Sequence, residues 1–262
     1  MTSFEKQPGH ISVCRLGVCC IALFLIGHMK VMAQVKQTSL SDYGNVSSLG
    51  VFGEYSDTSS HILIGEARNR KLFDLGVSYS HQLGHIGGTS LQYMGELRPV
   101  MLESDPITDQ TNVEISPPPA VTYINNGPLA QACHPSATTY TSVSQGVIHT
   151  DEFTESCPGR RWTYGAGISP VGFKWNFLVR SRFQPIFTGL AGMMFSTQQI
   201  PVNDASSWNF TFEFGAGVEY FRSSNRSIRA EWRFHHISND FTARENPGID
   251  SGLFQLTYSF GR

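Results

Sequence analysis

The feature that most constrains this chain is a strict two-residue alternation of side-chain character in its C-terminal half. In residues 210–220 every even position is apolar, and every odd position is polar, charged or glycine. Successive side chains of a β-strand point to opposite faces, so this period predicts a strand with one apolar face and one polar face. The same period recurs in residues 73–80 and 253–260.

Weaker segments of the same character fill most of the remaining chain. They cover residues 46–55, 91–101, 162–174 and 182–195, and residues 229–239 form a further strand-like run. Together with the three clear segments they predict about eight strands, and no segment shows a convincing helical period. The fold class predicted from the sequence is therefore all-β.

Strand length distinguishes a membrane barrel from a secreted β-sandwich. Transmembrane strands need roughly 9 to 11 residues, whereas strands of globular proteins average about 5 to 6, and the best segments here are long. Aromatic residues near segment ends resemble the interfacial girdles of membrane barrels; they are Trp162, Trp208, Tyr220 and Tyr258. We therefore expect an eight-stranded antiparallel barrel in the outer membrane.

The alternation also predicts which side chains face the lipid. The apolar residues Phe210, Phe212, Phe214, Trp232 and Phe234 are expected to face outward. The charged residues of the opposite faces are expected to fill the narrow lumen as ion pairs; they are Glu213, Glu219, Arg229, Glu231 and Arg233. His235 falls on the lumen face and is expected to be structural.

The N-terminus has the character of an export signal. Lys6 and Arg15 precede an apolar run, and the small residue Ala33 stands before Gln34. A short membrane anchor is the alternative, but the run is too short to span a bilayer comfortably. The domain prediction is a cleavable signal peptide at 1–33 and a barrel domain at 34–262.

Residues 103–160 do not have the pattern of a barrel wall. They contain three consecutive prolines, many Ser, Thr and Asn residues, and both cysteines of the mature chain, Cys133 and Cys157. We expect one long external loop between the third and fourth strands, because barrels of this type have short periplasmic turns and longer external loops. An even cysteine pair in an exported chain predicts a disulfide.

Composition excludes several classes of function. Only 15% of the residues are charged and the net charge is −2, so nucleic acid is not an expected partner. The sequence has no zinc-ligand spacing, phosphate-binding glycine loop or dinucleotide fingerprint, so no cofactor is implied. Whether two copies form a homodimer is left open.

One predicted strand ends in polar residues that a barrel wall does not require. His236 and Ser238 are two residues apart, so they share a face, with Cα atoms roughly 6.6 Å apart at ~3.3 Å per residue. They follow Trp232 and Phe234 on the apolar side, and Asp250 comes twelve residues after the serine. An imidazole can take a proton from a serine hydroxyl, and a carboxylate on its other nitrogen fixes the tautomer. A catalytic pair on an apolar face suggests a lipid substrate.

The motif His236-Ile237-Ser238-Asn239, followed by Asn246-Pro247-Gly248-Ile249-Asp250, resembles the outer-membrane lipid A 3-O-deacylases of the PagL type. The resemblance implies an eight-stranded barrel that removes the ester-linked acyl chain at the 3 position of lipid A. It also implies that lipopolysaccharide is the substrate partner.

Carried over by position, the resemblance implies four catalytic roles. Ser238 would be the nucleophile, His236 the general base, Asp250 the acid that orients the histidine, and Asn246 the oxyanion donor. Asp250 stands where better-known members have glutamate. Arg244, in the same hairpin, is either a contact for a lipid A phosphate or a solvated loop residue.

Two other functions remain as alternatives. One is a non-catalytic small barrel of the OmpA type, serving adhesion or envelope stability through its long loop. The other is an outer-membrane phospholipase.

Overall fold

The computed structural model describes residues 43–59, 63, 65–115 and 119–261. These residues belong to one compact unit, Leu40–Arg262. The predicted signal peptide at 1–33 lies outside the described residues. No helix in the part of the chain that the structure describes is long and apolar enough to cross a membrane.

The described residues form ten strands. They are β1 (Ser47–Ser59), β2 (Arg70–Ile86), β3 (Thr89–Glu114), β4 (Ala120–Gly127), β5 (Ser136–Ser144), β6 (Val147–Phe177), β7 (Phe183–Ile200), β8 (Ser206–Ser223), β9 (Arg226–Ser238) and β10 (Ile249–Gly261). All pairings between them are antiparallel.

Eight of these strands close a ring. The order around the ring is β3, β2, β1, β10, β9, β8, β7 and β6, and pairing of β3 with β6 closes it. The predicted all-β antiparallel barrel is therefore confirmed. The count of eight is right for the ring alone, because β4 and β5 are two further strands outside it.

The two extra strands belong to an extension at one end of the barrel. There β3 and β6 run on past the ring and stay paired as far as Glu114 and Asp151, while β4 adds to the free edge of β3 and β5 to that of β6. Residues 103–160 were expected to be one long loop. These residues do connect the third and fourth strands of the ring, but most of them are paired β-structure. Their Thr- and Val-rich segments favour strands and form backbone hydrogen bonds with one another.

A disulfide joins Cys133, in the connection between β4 and β5, to Cys157 of β6. The predicted cysteine pairing is confirmed. Beside it, the backbone N–H of His134 and the side-chain amide of Gln110 donate to the Glu155 carboxylate at 2.7 and 2.9 Å. These two hydrogen bonds lower the pKa of Glu155. The connection is therefore fastened to β6 at two neighbouring points.

The outer face of the ring is apolar and the lumen is charged, as the alternation predicted. Phe210, Phe212 and Trp232 are 42, 51 and 52% exposed, and Phe214 is half-buried. The predicted lumen residues Glu213, Glu219, Arg229, Glu231 and Arg233 are buried.

Phe234 departs from this pattern, since it is only 2% exposed. It pairs with Phe214 on one side and with Gly252 on the other. The two phenylalanine rings lie 4.9 Å apart between centroids, and the missing side chain of Gly252 leaves space against the wall. The alternation predicts which side of the sheet a residue faces. It does not predict whether side chains of neighbouring strands cover that residue.

The lumen charges form a network of ion pairs, as predicted. Arg98 contacts Glu54, Glu96 and Glu213, each at 2.7 Å. Arg233 contacts Glu96, Glu213 and Glu231 at 2.9 to 3.0 Å. Burying so many charges is tolerated because each is paired within the network. His235 is buried beside it, with Nε2 3.9 Å from Glu213.

An apolar cluster interrupts the polar lumen near the end of β9. Its buried members are Ala67, Met101, Met194, Ile200, Ile237 and Ile249. Ile237 pairs directly with Ile249 and lies between His236 and Ser238 in sequence, so it points to the opposite side of the wall from them. The cluster therefore supports this part of the wall from within.

Candidate active site

The histidine and the acid are brought together by the register of the last two strands. Asp250 of β10 lies directly opposite His236 of β9. Directly opposed residues of an antiparallel pair point to the same face. His236 Nδ1 and Asp250 Oδ1 are 2.6 Å apart. The aspartate side chain is therefore long enough to reach the imidazole.

The buried carboxylate of Asp250 is held from its other side by the connection between β1 and β2. The backbone N–H groups of Gly65 and Leu63 donate to Oδ2 at 2.6 and 3.2 Å. Asp250 is completely buried, while the His236 side chain remains 20% exposed. These hydrogen bonds fix the position of the carboxylate.

Gly65 allows this connection to lie against β10. A Cβ atom at this position would stand 2.7 Å from the backbone nitrogen of Asp250 and 3.1 to 3.2 Å from the backbone of Ile249. Backbone atoms of a paired strand cannot move aside at low cost. Glycine is therefore required by close approach. Neither Leu63 nor Gly65 was predicted from the sequence, and no motif marks them.

The serine is held by an asparagine across the hairpin. Asn246 Nδ2 donates to Ser238 Oγ at 2.9 Å, and the hydroxyl lies 3.1 Å from Asn246 Oδ1. Asn246 Oδ1 also accepts the backbone N–H of Asn239 at 3.0 Å. The asparagine predicted from the sequence therefore contacts the predicted nucleophile directly.

The chain turns sharply after the serine. Asp240 and Phe241 have φ angles of 50° and 56°, a left-handed conformation that is uncommon for residues other than glycine. The turn directs the backbone N–H of Asp240 onto Ser238 Oγ at 3.2 Å. Two donors, this N–H and the Asn246 amide, thus converge on the serine oxygen.

His236 and Ser238 make no hydrogen bond to each other in the described residues. With Nδ1–H donated to Asp250, the Nε2 atom of His236 carries the lone pair that a general base needs. The serine proton is donated to Asn246 instead. The serine hydroxyl must turn from Asn246 to the imidazole for proton transfer, and catalytic hydrogen bonds often tighten only when substrate binds.

The site opens onto the apolar outer face. Phe210 pairs with Ser238, and Phe212 pairs with His236. Both rings lie on the outer surface beside the two polar residues, and Trp208 continues the row, 5.6 Å from Phe210 between ring centroids. An acyl chain lying along this row would bring its ester to the serine.

Other candidate ligands and charges contribute little to this site. Arg244 is exposed and lies 3.7 Å from the Asp204 carboxylate, so it has the character of a solvated loop residue. Within residues 43–59, 63, 65–115 and 119–261, no group of His, Cys, Asp and Glu side chains is arranged to hold a metal ion.

Comparison with known proteins gives a family and several similar folds. The family model of the lipid A 3-O-deacylases (PagL) matches residues 122–259. The outer membrane enzyme PagL, known from a crystal structure, has 13% sequence identity to this chain, and the match covers 82% of this chain and 99% of that one with a TM-score of 0.43.

Other barrels match at similar levels. Neisserial surface protein A is 10% identical, covers 82% of this chain and 97% of that one, and has a TM-score of 0.42. OprG from Pseudomonas aeruginosa is 9% identical, and the match covers 86% of this chain and 100% of that one with a TM-score of 0.39. A search of curated protein sequences finds no match.

The family match extends over more than half of the 262-residue chain and includes every residue of the β9–β10 site. The protein therefore belongs to the PagL family of lipid A 3-O-deacylases.

Proposed function

We propose that this protein is an outer-membrane serine esterase that removes the acyl chain ester-linked at the 3 position of lipid A. The observation that carries the proposal is the pairing of His236 with Asp250 at 2.6 Å, next to Ser238 on the same outward face. The family match supports the substrate. In this proposal the protein is exported by a cleavable signal and acts within the membrane that holds its substrate.

In the proposed reaction Ser238 Oγ attacks the ester carbonyl carbon. His236 Nε2 takes the hydroxyl proton, and Asp250 stabilises the imidazolium that forms. Collapse of the tetrahedral intermediate expels the sugar hydroxyl, to which the imidazolium returns the proton, and leaves the acyl group on Ser238. Water, deprotonated by His236, then releases the fatty acid and restores the serine.

The oxyanion of the tetrahedral intermediate forms two bonds away from Ser238 Oγ, on the former carbonyl carbon. The two groups that now donate to this oxygen are the Asn246 side-chain amide and the Asp240 backbone N–H. In the proposed mechanism both donors shift onto the oxyanion as it forms. Asn246 is anchored by Asn239, so its amide is oriented before substrate binds.

The test is release of the 3-linked hydroxy-fatty acid from purified lipid A in detergent, followed by mass spectrometry. Ser238→Ala and His236→Ala should each lower turnover by about a thousandfold or more, and the double variant should be little worse than either. Ser207→Ala, an exposed serine near the start of β8, is the matched control and should retain activity.

Heat-modifiable mobility in electrophoresis verifies that each variant is folded. A folded Ser238→Ala variant with near-wild-type turnover would refute the serine mechanism. Loss of a chain from phospholipid but not from lipid A would identify a phospholipase. No hydrolysis of either lipid by the wild-type protein would support a non-catalytic barrel.

A further inference from the structure

A second polar site lies on the outer face of the barrel, away from the β9–β10 hairpin. It is a cleft of about 360 Å³, here called the rim cleft, at the end of the ring where the extension begins. Its lining consists of Asp57, Asn69, Lys71, Pro106, Cys133, Cys157 and Arg160.

The rim cleft lies immediately beyond the apolar band of the wall. Tyr55 and Phe73 pair with each other and are both exposed on the outer face. Two residues further towards the rim, Asp57 and Lys71 point to the same side and are also exposed. A change from aromatic to charged side chains on a barrel's outer face marks the level of the lipid headgroups.

Arg160 directs a second positive charge into the same cleft. It lies two residues beyond the exposed Trp162 on the same face of β6. Its Nε atom donates to Ser104 Oγ at 2.7 Å, and one terminal nitrogen donates to the carbonyl oxygens of Ser104 and Asn69. Since Ser104 pairs with Lys71, these bonds hold the guanidinium beside the lysine.

The two cations have hydrogen-bonding capacity left over. Lys71 Nζ and the other terminal nitrogen of Arg160 donate to no group among the described residues. Asp57 is the one carboxylate of the lining and makes no ion pair with either of them in the described part of the chain. The cleft therefore has an excess of one positive charge and unused N–H donors.

The remaining wall of the cleft is the Cys133–Cys157 disulfide. The bond fixes the β4–β5 connection to β6 next to Arg160. The cleft is thus bounded by four strands and a covalent link, which makes it a preformed site.

The rim cleft and the active site are connected by one segment. The β1–β2 connection contacts Asp250 through Leu63 and Gly65, and its Asn69, four residues after Gly65, lines the cleft. Tyr55 pairs with both Phe73 and Phe254, so Lys71 and Asp250 lie near the same level of the wall. From β9 to β2 there are three strand spacings, roughly 15 Å at ~4.8 Å each.

We propose that the rim cleft binds a phosphate group of the lipid substrate, with Lys71 and Arg160 as its donors. Lipid A is a disaccharide that carries phosphate, and a molecule of that size can reach from Ser238 to the cleft. This inference rests on the proposed function, and it assigns Lys71 and Arg160 to substrate recognition and the disulfide-linked extension to shaping the site.

The experiment measures lipid binding to the Ser238→Ala protein in non-ionic detergent by native mass spectrometry, so that no lipid is consumed. The three probes are phosphorylated lipid A, chemically dephosphorylated lipid A, and dephosphorylated lipid A with added phosphatidylglycerol. We expect the phosphorylated form to bind about tenfold more tightly, the scale of a charge-assisted contact. Added phosphatidylglycerol should not restore tight binding.

Lys71→Gln should remove most of this preference, and Lys71→Arg should retain it. Arg68→Gln is the matched control, because Arg68 is an exposed cation of the same connection that does not line the cleft. With Ser238 intact, Lys71→Gln should raise KM about tenfold while kcat stays the same.

The outcomes separate this inference from the proposed function. If lipid A is hydrolysed but Lys71→Gln keeps the full phosphate preference, the cleft assignment is wrong and the esterase stands. If phosphate-dependent binding needs Lys71 but no hydrolysis occurs, the cleft is supported and the esterase fails. Equal effects of Lys71→Gln and Arg68→Gln, or rescue by phosphatidylglycerol, would also overturn the assignment.

Discussion

Replacing Gly65 with alanine is expected to lower turnover without unfolding the barrel. The new Cβ atom would stand 2.7 Å from the Asp250 backbone nitrogen, well inside van der Waals contact. The β10 backbone is held by its hydrogen bonds to the neighbouring strands, so the connection at Leu63 and Gly65 must move away. Both N–H groups that it donates to Asp250 Oδ2 would then be lost.

The magnitude follows from those two hydrogen bonds. Each is made to a charged, buried acceptor and contributes at least about 1.5 kcal/mol. Together they favour the observed carboxylate orientation by ~3 kcal/mol, which corresponds to roughly a hundredfold in population. Since His236 depends on Asp250 for its tautomer, kcat should fall by about 10- to 100-fold, and less than in Asp250→Ala.

The assay is fatty-acid release from lipid A, with heat-modifiable mobility as the folding check. Gly84→Ala is the matched control, because a Cβ atom there meets nothing within 4 Å. The double variant Gly65→Ala/Asp250→Ala should be no slower than Asp250→Ala alone, because Gly65 acts only through the carboxylate. Full activity of folded Gly65→Ala, or additive losses in the double variant, would refute the reasoning.

Two further predictions concern the oxyanion donor and the lumen. Asn246→Ala should lower kcat for lipid A by about 10²- to 10³-fold. Asn246→Asp should be at least as slow, because it keeps the acceptor for the Asn239 N–H but loses the donor to Ser238. An Asn246→Asp enzyme that is active in a lipid A assay would exclude the oxyanion role. Arg98→Met should destabilise the barrel by about 3 to 5 kcal/mol, because three buried carboxylates lose their shared partner. Urea unfolding in detergent micelles measures the free energy of unfolding, with a variant of the exposed Arg226, Arg226→Met, as the control. Equal stability of the two variants would contradict the prediction.

The wall of the barrel was predictable because its signal is local. A strand exposes alternate residues to alternate sides, so the apolar and charged positions of 210–220 already define an outer face and a lumen face. The same period placed His236 and Ser238 together on the outer face. Spacing along the chain also indicated Asp250, and the resemblance added Asn246. The structure brings Asp250 to the histidine and Asn246 to the serine.

The strand count and the burial of Phe234 were not predictable from the same pattern. The segments of residues 103–160 are polar and rich in Thr, so they resemble loop until partners for their ladders are known. Phe234 has the outward parity of its strand, but its exposure is set by Phe214 and Gly252 on the two neighbouring strands. Both outcomes depend on which strands lie side by side.

By itself, the sequence determined the all-β barrel and the faces of its strands, and together with the family resemblance it predicted the four residues of the candidate active site. Only the tertiary structure placed the β1–β2 connection over Asp250, 185 residues away in the chain from Gly65, and gathered Lys71, Arg160 and the disulfide around one cleft. The physical reason is that periodicity and motifs record interactions between near neighbours in the chain. Contacts between distant segments arise only when the ring closes and fixes which loops meet at its rim.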